Sequence, residues 1–219
     1  MKRIAFLAGA SGLIGGHLLT LLLEDEEYDE VHLLLRKPLT IEQKKLRQHV
    51  VDFDHLKDLT DVPNANDVFC CLGTTMKRAG SKDAFEKIDH HYPVEYARLA
   101  SQNNAERFFL VTSIGSSSTS SFFYLRMKAK TEQVIKSLPF RAVHIFRPSM
   151  LLGQRSEFRW EDVVIPPLMK MFSLALFGRW RKYRAIHART VAHAMLLAAK
   201  SDASGIHVYD SDEIRKMGE

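Results

Sequence analysis

The sequence predicts an α/β chain built on a doubly wound parallel sheet. Two observations carry this: short apolar runs alternate with helical patterns through the first 150 residues, and a glycine-rich turn joins the first run to the first helix. Strands that alternate with helices pair in parallel through crossovers. Both faces of such a sheet are covered, so each strand reads as a nearly unbroken apolar run. With 219 residues, 46% of them hydrophobic, the chain has the length for one domain over 1–219. Within it, residues 151–205 are expected to form a small lid on the substrate side.

The elements follow in order. "RIAFLAG" (3–9) is the first strand and "LIGGHLLTLLLED" (13–25) the first helix. "EVHLLLR" (30–36) and "QHVVDF" (48–53) give strands two and three, and "NDVFCCLG" (66–73) the fourth, reached through a short loop. A long helix is expected over 81–104, kinked or divided by Pro93. "ERFFLVTS" (106–113) is strand five, 122–138 a helix, and "RAVHIFRP" (141–148) strand six, stopped by Pro148. After residue 150 come an apolar segment near 163–177, the basic run "GRWRKYR" (178–184), a helix over 189–200 and a last strand "IHVYD" (206–210). The expected order is 3-2-1-4-5-6, with that last strand as a seventh at the edge.

Composition narrows the function classes. The net charge is +5, but 31 cationic and 26 anionic side chains are intermixed, so no basic arm calls for nucleic acid and none is expected as a partner. No run reaches the ~18 apolar residues of a membrane span; the segment 163–177 is short and holds two prolines and a lysine. The two cysteines, Cys70 and Cys71, adjoin inside an apolar run. That is neither a disulfide framework nor a zinc spacing, and it suits the reducing cytosol. His90 and His91 point about 100° apart on a helix, and His187 and His193 have no zinc spacing, so no metal is expected. The basic run reads as a solvated loop.

Three features carry chemistry. Gly9, Gly12 and Gly15 stand in a Gly-x-x-Gly-x-x-Gly spacing between the first strand and helix. Glycines there permit a tight turn, let the backbone approach a diphosphate, and let the helix pack closely, while its N-terminus offers free N–H groups. A chance triplet at this spacing is expected only ~0.03 times in the chain, so a dinucleotide-binding (Rossmann) turn is preferred to a plain tight turn. Second, 21 residues past Gly15 the second strand ends in Arg36 and Lys37 rather than the acidic residue that receives an NAD ribose. Two cations suit a 2′-phosphate, so NADP is expected in preference to NAD. Third, Tyr124 and Lys128 stand four apart at the start of a helix, on one face. A phenol normally titrates near ~10, and an adjacent cation favours its ionised form, which suits an acid/base.

Taken in order, the glycine turn, Asp52, Leu72-Gly73-Thr74, Ser113, Tyr124 with Lys128, and Arg147-Pro148 resemble an atypical short-chain dehydrogenase/reductase. "GASG", "CCLGTT", "FYLRMKAKTE" and "FRPSMLLG" resemble more closely its Tat-interacting-protein branch. The resemblance implies that Gly9, Ser11, Gly12, Leu13, Ile14 and Gly15 cradle the pyrophosphate and that Arg36 and Lys37 hold the 2′-phosphate. By the same resemblance Asp52 and Phe53 flank adenine, while Leu72, Gly73 and Thr74 run under the cofactor. Pro148 through Leu151 would border the nicotinamide, with Arg155 or Arg159 reaching a phosphate. It implies hydride transfer to or from a small carbonyl or alcohol, with Tyr124 as proton donor, Lys128 on the nicotinamide ribose, and Ser113 or Ser116 on the substrate oxygen. The asparagine that completes a proton relay in many members has no match in this reading. The other function to weigh is an NADPH sensor acting through a protein partner. The segment 163–177 suits a cover for the site or a contact in a homo-oligomer.

Overall fold

The structure is a computed structural model that describes residues 3–153 and 183–219. Arg155, Arg159, the apolar segment 163–177 and all but the last two residues of the basic run lie outside the described residues. Strands β1 (Ile4–Ala8), β2 (Glu30–Leu35), β3 (Leu46–Val50), β4 (Asp67–Cys70), β5 (Arg107–Val111), β6 (Ala142–Arg147) and β9 (Gly205–Asp210) form one parallel sheet. Their order is β3-β2-β1-β4-β5-β6-β9, as the sequence predicts. β7 (Leu151–Leu152) and β8 (Ile186–His187) form a separate two-stranded pair.

Both faces are covered. Ala5 and Leu7 of β1 point into one core, shared with Leu18 and Leu22 of α1 (Leu13–Glu24), Val191 and Met195 of α6 (Ala188–Lys200), and Ile214 of α7 (Ser211–Gly218). Phe6 and Ala8 point into the other, with Tyr96 and Ala97 of α4 (Tyr92–Gln102) and Ile135 of α5 (Phe123–Lys136). The period of two along β1, apolar on both faces, is what a central parallel strand requires. At the amino end of the sheet the buried Asp67 carboxylate accepts from Tyr28 Oη at 2.7 Å and pairs with Arg3 and Arg107 at 2.9 and 2.7 Å. Those guanidiniums also donate to the Ala199 and Ser201 carbonyls, which fastens the end of α6.

The structure differs from the sequence reading at three places. The third strand is Leu46–Val50, not 48–53: Asp52 leaves the sheet and caps a 3₁₀ turn (Phe53–Asp58), its carboxylate accepting from Asp54 N–H at 2.9 Å. The helix expected over 81–104 is broken into α3 (Lys82–Glu86), a π turn (Lys87–His91) and α4, preceded by the short α2 (Met76–Ala79). Pro93 explains the break, since it has no N–H to return to the carbonyl of Asp89. That carbonyl accepts instead from the Thr131 hydroxyl of α5 at 2.9 Å. Finally, α7 follows the last strand, opened by a capping box in which Asp210 and Glu213 serve each other's backbone.

Four rings in register, Phe69, Phe109, His144 and His207, stack across β4, β5, β6 and β9 with centroids 4.7, 4.8 and 4.9 Å apart. His144 is fully buried, and burial pushes its pKa down to about 4. The unfolded chain therefore binds a proton here from pH 6.5 downward while the folded chain does not. Its contribution is complete above 6.5 and is lost as pH falls towards 4. His144→Phe should lose less stability over that window, by about 3 kcal/mol at its acid end. Urea unfolding at stepped pH checks this; parallel curves for the two proteins would refute it.

Candidate cofactor and active site

Parallel strands end on the same side of the sheet, so the turns that follow them gather there. Gly9 after β1, Arg36 after β2, Asp52 after β3, Leu72 after β4, Ser113 after β5 and Pro148 after β6 are all brought to that carboxyl edge.

The glycine turn is packed to the limit of its backbone. Gly9 has φ +89°, and a Cβ there would lie 2.6 Å from the Cys71 carbonyl. Its own carbonyl accepts from Gly12 N–H at 2.9 Å and lies where a Gly15 Cβ would stand, 2.1 Å away. Gly12 caps α1 in an extended conformation, and no side chain caps this N-terminus or places an acid in its first turn. The helix end is thus left with its positive dipole and unshared N–H groups, as a diphosphate requires. Ser11 is exposed on the turn, Leu13 opens α1, and Ile14 is buried beneath it.

Arg36 and Lys37 are exposed just past β2. Neither makes an ion pair or side-chain hydrogen bond among the described residues. Asp52 is exposed, and Phe53 is buried with its ring 5.4 Å from that of Tyr92. Phe53 therefore has its backbone, not its ring, to offer a ligand at this edge.

The centre of the site is a buried ion pair. Lys128 Nζ lies 2.5 Å from Asp89 Oδ1, with both side chains almost wholly removed from solvent. The other Asp89 oxygen accepts from the Thr74 N–H at 2.7 Å. Gly73 sits over the pair: a Cβ there would be 3.3 Å from Nζ and 3.4 Å from Oδ1. Burial acts to lower the Lys128 pKa, but Asp89 and then Tyr124 outweigh it, so the ammonium is held above the ordinary lysine range. Tyr124, one turn earlier and half-buried, packs its ring 5.6 Å from Phe85 and 5.8 Å from the Lys128 ammonium. Burial pushes the Cys70 thiol up to about 12, which leaves it a neutral core residue.

Behind this centre α5 is fastened to the sheet. Buried Glu132 accepts from Thr112 Oγ1 at 2.8 Å and from Arg147 Nε at 3.0 Å. Of the two candidate serines, Ser116 is buried and spends its hydroxyl on the Ser113 carbonyl at 2.6 Å. Ser113 is half-buried, and its hydroxyl makes only a long 3.4 Å bond to the Ile114 carbonyl. Ile114 N–H donates to the Pro148 carbonyl at 3.0 Å, tying the turns after β5 and β6 together. Leu151 starts β7, and two residues on Gly153 approaches Leu13 so closely that a Cβ would lie 3.0 Å from its side chain. Gly153, near the start of the segment expected as a lid, therefore lies against the first residue of α1.

The structure brings Gly9 to Leu72, Gly73 to Lys128, Lys128 to Tyr124 and Leu13 to Gly153. Among the described residues it places no hydrogen bond between Ser113 and Tyr124. Asp89 is not among the residues that the sequence singles out. Among the described residues, no helix is long and apolar enough to cross a membrane, and no three His, Cys, Asp or Glu side chains cluster as metal ligands.

The profile of a family described as NAD(P)H-binding matches residues 9–157. Protein HTATIP2 of Rattus norvegicus is 36% identical over 208 residues, covering 93% of this chain and 84% of its own. Protein fmp52, mitochondrial, of Aspergillus clavatus is 34% identical over 215 residues, covering 92% and 90%. Among solved structures, MoeE5 in complex with UDP-glucose and NAD aligns with a TM-score of 0.68 at 17% identity, over 96% of this chain and 79% of that one. The Bordetella bronchiseptica enzyme WbmH in complex with NAD+ gives 0.69 at 16% identity, over 96% and 76%. At such identities the likeness is one of fold.

Proposed function

The chain belongs to the NAD(P)H-binding family and is homologous to HTATIP2 and FMP52; on that premise we propose that it is an NADP-dependent oxidoreductase of the atypical short-chain type. Its substrate is a small carbonyl or alcohol, and Tyr124 is the acid/base. The observation that carries this reading is the Lys128 ammonium, buried beneath the 72–74 loop with Tyr124 one helical turn away.

The residues present fit a dinucleotide. Gly9 and Gly15 have no room for a side chain, and the α1 end beside them is uncapped. The bound cofactor supplies the hydride or receives it. The backbone of Gly9, Ser11, Gly12, Leu13, Ile14 and Gly15 grips the diphosphate, while Asp52 and Phe53 border adenine. Leu72, Gly73 and Thr74 form the floor, with Pro148 and Leu151 the far wall. Lys128 reaches the ribose next to the reacting ring, Tyr124 passes its proton to the substrate oxygen, and Ser113, with the freer hydroxyl, orients that oxygen. The described residues act as one domain; α6, which falls within the 151–205 expected as a lid, packs into the core beside α1 and is no part of a lid. The free cysteines suit the cytosol; "mitochondrial" in the names of fungal relatives describes those proteins.

Fluorescence titration of the purified protein with NADPH and NADH tests the reading, and the expected result is saturable binding with NADPH preferred. No signal with either coenzyme would end it. In the Arg36→Ala/Lys37→Ala variant, NADPH should weaken roughly 10- to 100-fold, since each cation gives up a charge-assisted bond, while NADH changes by less than about threefold. Equal losses for both coenzymes would place the 2′-phosphate elsewhere.

A further inference from the structure

Asp89 is buried in the π turn with one oxygen on Lys128 Nζ and the other on the Thr74 N–H, at 2.5 and 2.7 Å. Its place is fixed from behind. The Asp89 carbonyl accepts from Thr131 Oγ1 at 2.9 Å, and the neighbouring His90 Nδ1 lies 3.0 Å from the same hydroxyl. Thr131 and Lys128 are three apart on α5, so one helix face holds both ends of the aspartate. The carboxylate thereby couples the helix that carries Tyr124 to the loop proposed as the cofactor's floor.

We propose that Asp89 is a positioning residue, the counter-ion that fixes Lys128 against the 72–74 loop and sets the pH at which Tyr124 gives up its proton. The argument is electrostatic. An ammonium that already faces a carboxylate at 2.5 Å presents a nearly neutral pair to its other neighbours, so its pull on a phenolate is reduced. Among the described residues, removal of the carboxylate leaves the Tyr124 phenolate as the anion placed to pair with that buried cation, and the phenol should then ionise earlier. The other titratable groups facing the pair do not substitute for Asp89. Cys70 of β4 is a neutral thiol. Glu132, one turn along α5, is held by Arg147, and Glu86 of α3 is held by Lys130 at 2.8 Å. Lys82 and Arg126 lie over the Phe123 ring, 5.7 and 5.9 Å from its centre.

The proposal deepens the catalytic reading above and rests on Tyr124 being its acid/base, but its test needs neither substrate nor coenzyme. Tyrosinate absorbance is followed against pH in the full-length protein and in the Tyr124→Phe variant, and the difference isolates Tyr124. The Asp89→Asn variant, which keeps an acceptor for the Thr74 N–H, is compared with its own Tyr124→Phe double variant. The expected result is ionisation of Tyr124 at lower pH in Asp89→Asn, by about one unit. The shift should vanish when Lys128→Met is added, because it acts through the ammonium. An unchanged curve in folded Asp89→Asn, or a shift that survives Lys128→Met, overturns the proposal. Should Asp89→Asn alone not fold, the Asp89→Asn/Lys128→Met variant, which removes both charges, decides: a Tyr124 curve close to wild type supports the counter-ion role, and ionisation delayed to higher pH refutes it. Failure of coenzyme binding in the wild-type protein would defeat the catalytic reading while leaving this result standing.

Discussion

Gly15→Ala is expected to destabilise the protein by about 2–3 kcal/mol and to weaken NADPH binding by at least about 100-fold. The added methyl would lie 2.1 Å from the Gly9 carbonyl oxygen and 2.7 Å from its carbon. These are backbone atoms, so no side chain can swing away, and the helix must lift from the turn. Gly9 cannot yield in turn, because its positive φ and its own contact with Cys71 fix it from the other side. Lifting α1 pulls Ile14, Leu18 and Leu22 from the core and moves its N–H groups off the proposed diphosphate. Gly16→Ala, one residue further, is the control. Its methyl would meet nothing closer than the Ala10 carbonyl at 3.5 Å. There the gain in helix propensity should stabilise the protein by about 0.5–1 kcal/mol. Urea unfolding and coenzyme titration on both variants read the contrast, and similar behaviour of the two would sink the claim that the turn is closed by backbone packing.

That turn was legible because its requirements are local: a spacing of three, a strand before it and a helix after it. Tyr124 and Lys128 were legible for a similar reason, since helical periodicity alone places them on one face. Asp89 was not, because it acts on Lys128, 39 positions away, from a π turn that breaks the very periodicity used to read helices. The third strand reads too late in the sequence, where Val50-Val51 is the apolar pair, because β3 is an edge strand and carries Arg47, Gln48 and His49. Apolar runs mark buried strands and say less about edges. The helix after β9 had a readable start in Asp210 and Glu213, three apart, but its eight residues follow the strand without a loop. Sequence does not show which of the Ser113 and Ser116 hydroxyls is spent within the turn, because that depends on how the turn folds.

Tyr124→Phe should lower turnover by about 10³-fold while changing NADPH affinity by less than about twofold. The substitution removes one oxygen and little else. The ring keeps its neighbour Phe85 at 5.6 Å, and Lys128 keeps Asp89, so the proposed cofactor floor of Gly73 and Thr74 stays in place. What is lost is the proposed proton donor to the substrate oxygen; Cys70, a buried neutral thiol, and Ser116, whose hydroxyl is engaged, do not replace it. The measurement is NADPH oxidation against a panel of small aldehydes and ketones, with coenzyme titration beside it. Turnover that survives the change would remove Tyr124 from the chemistry. A wild-type protein that binds NADPH yet reduces nothing on the panel, and captures a protein partner only when NADPH is present, would favour a sensor. The two roles part at this hydroxyl: a sensor needs the glycine turn and the cations after β2 but has no use for the phenol, so only an enzyme should suffer from its loss.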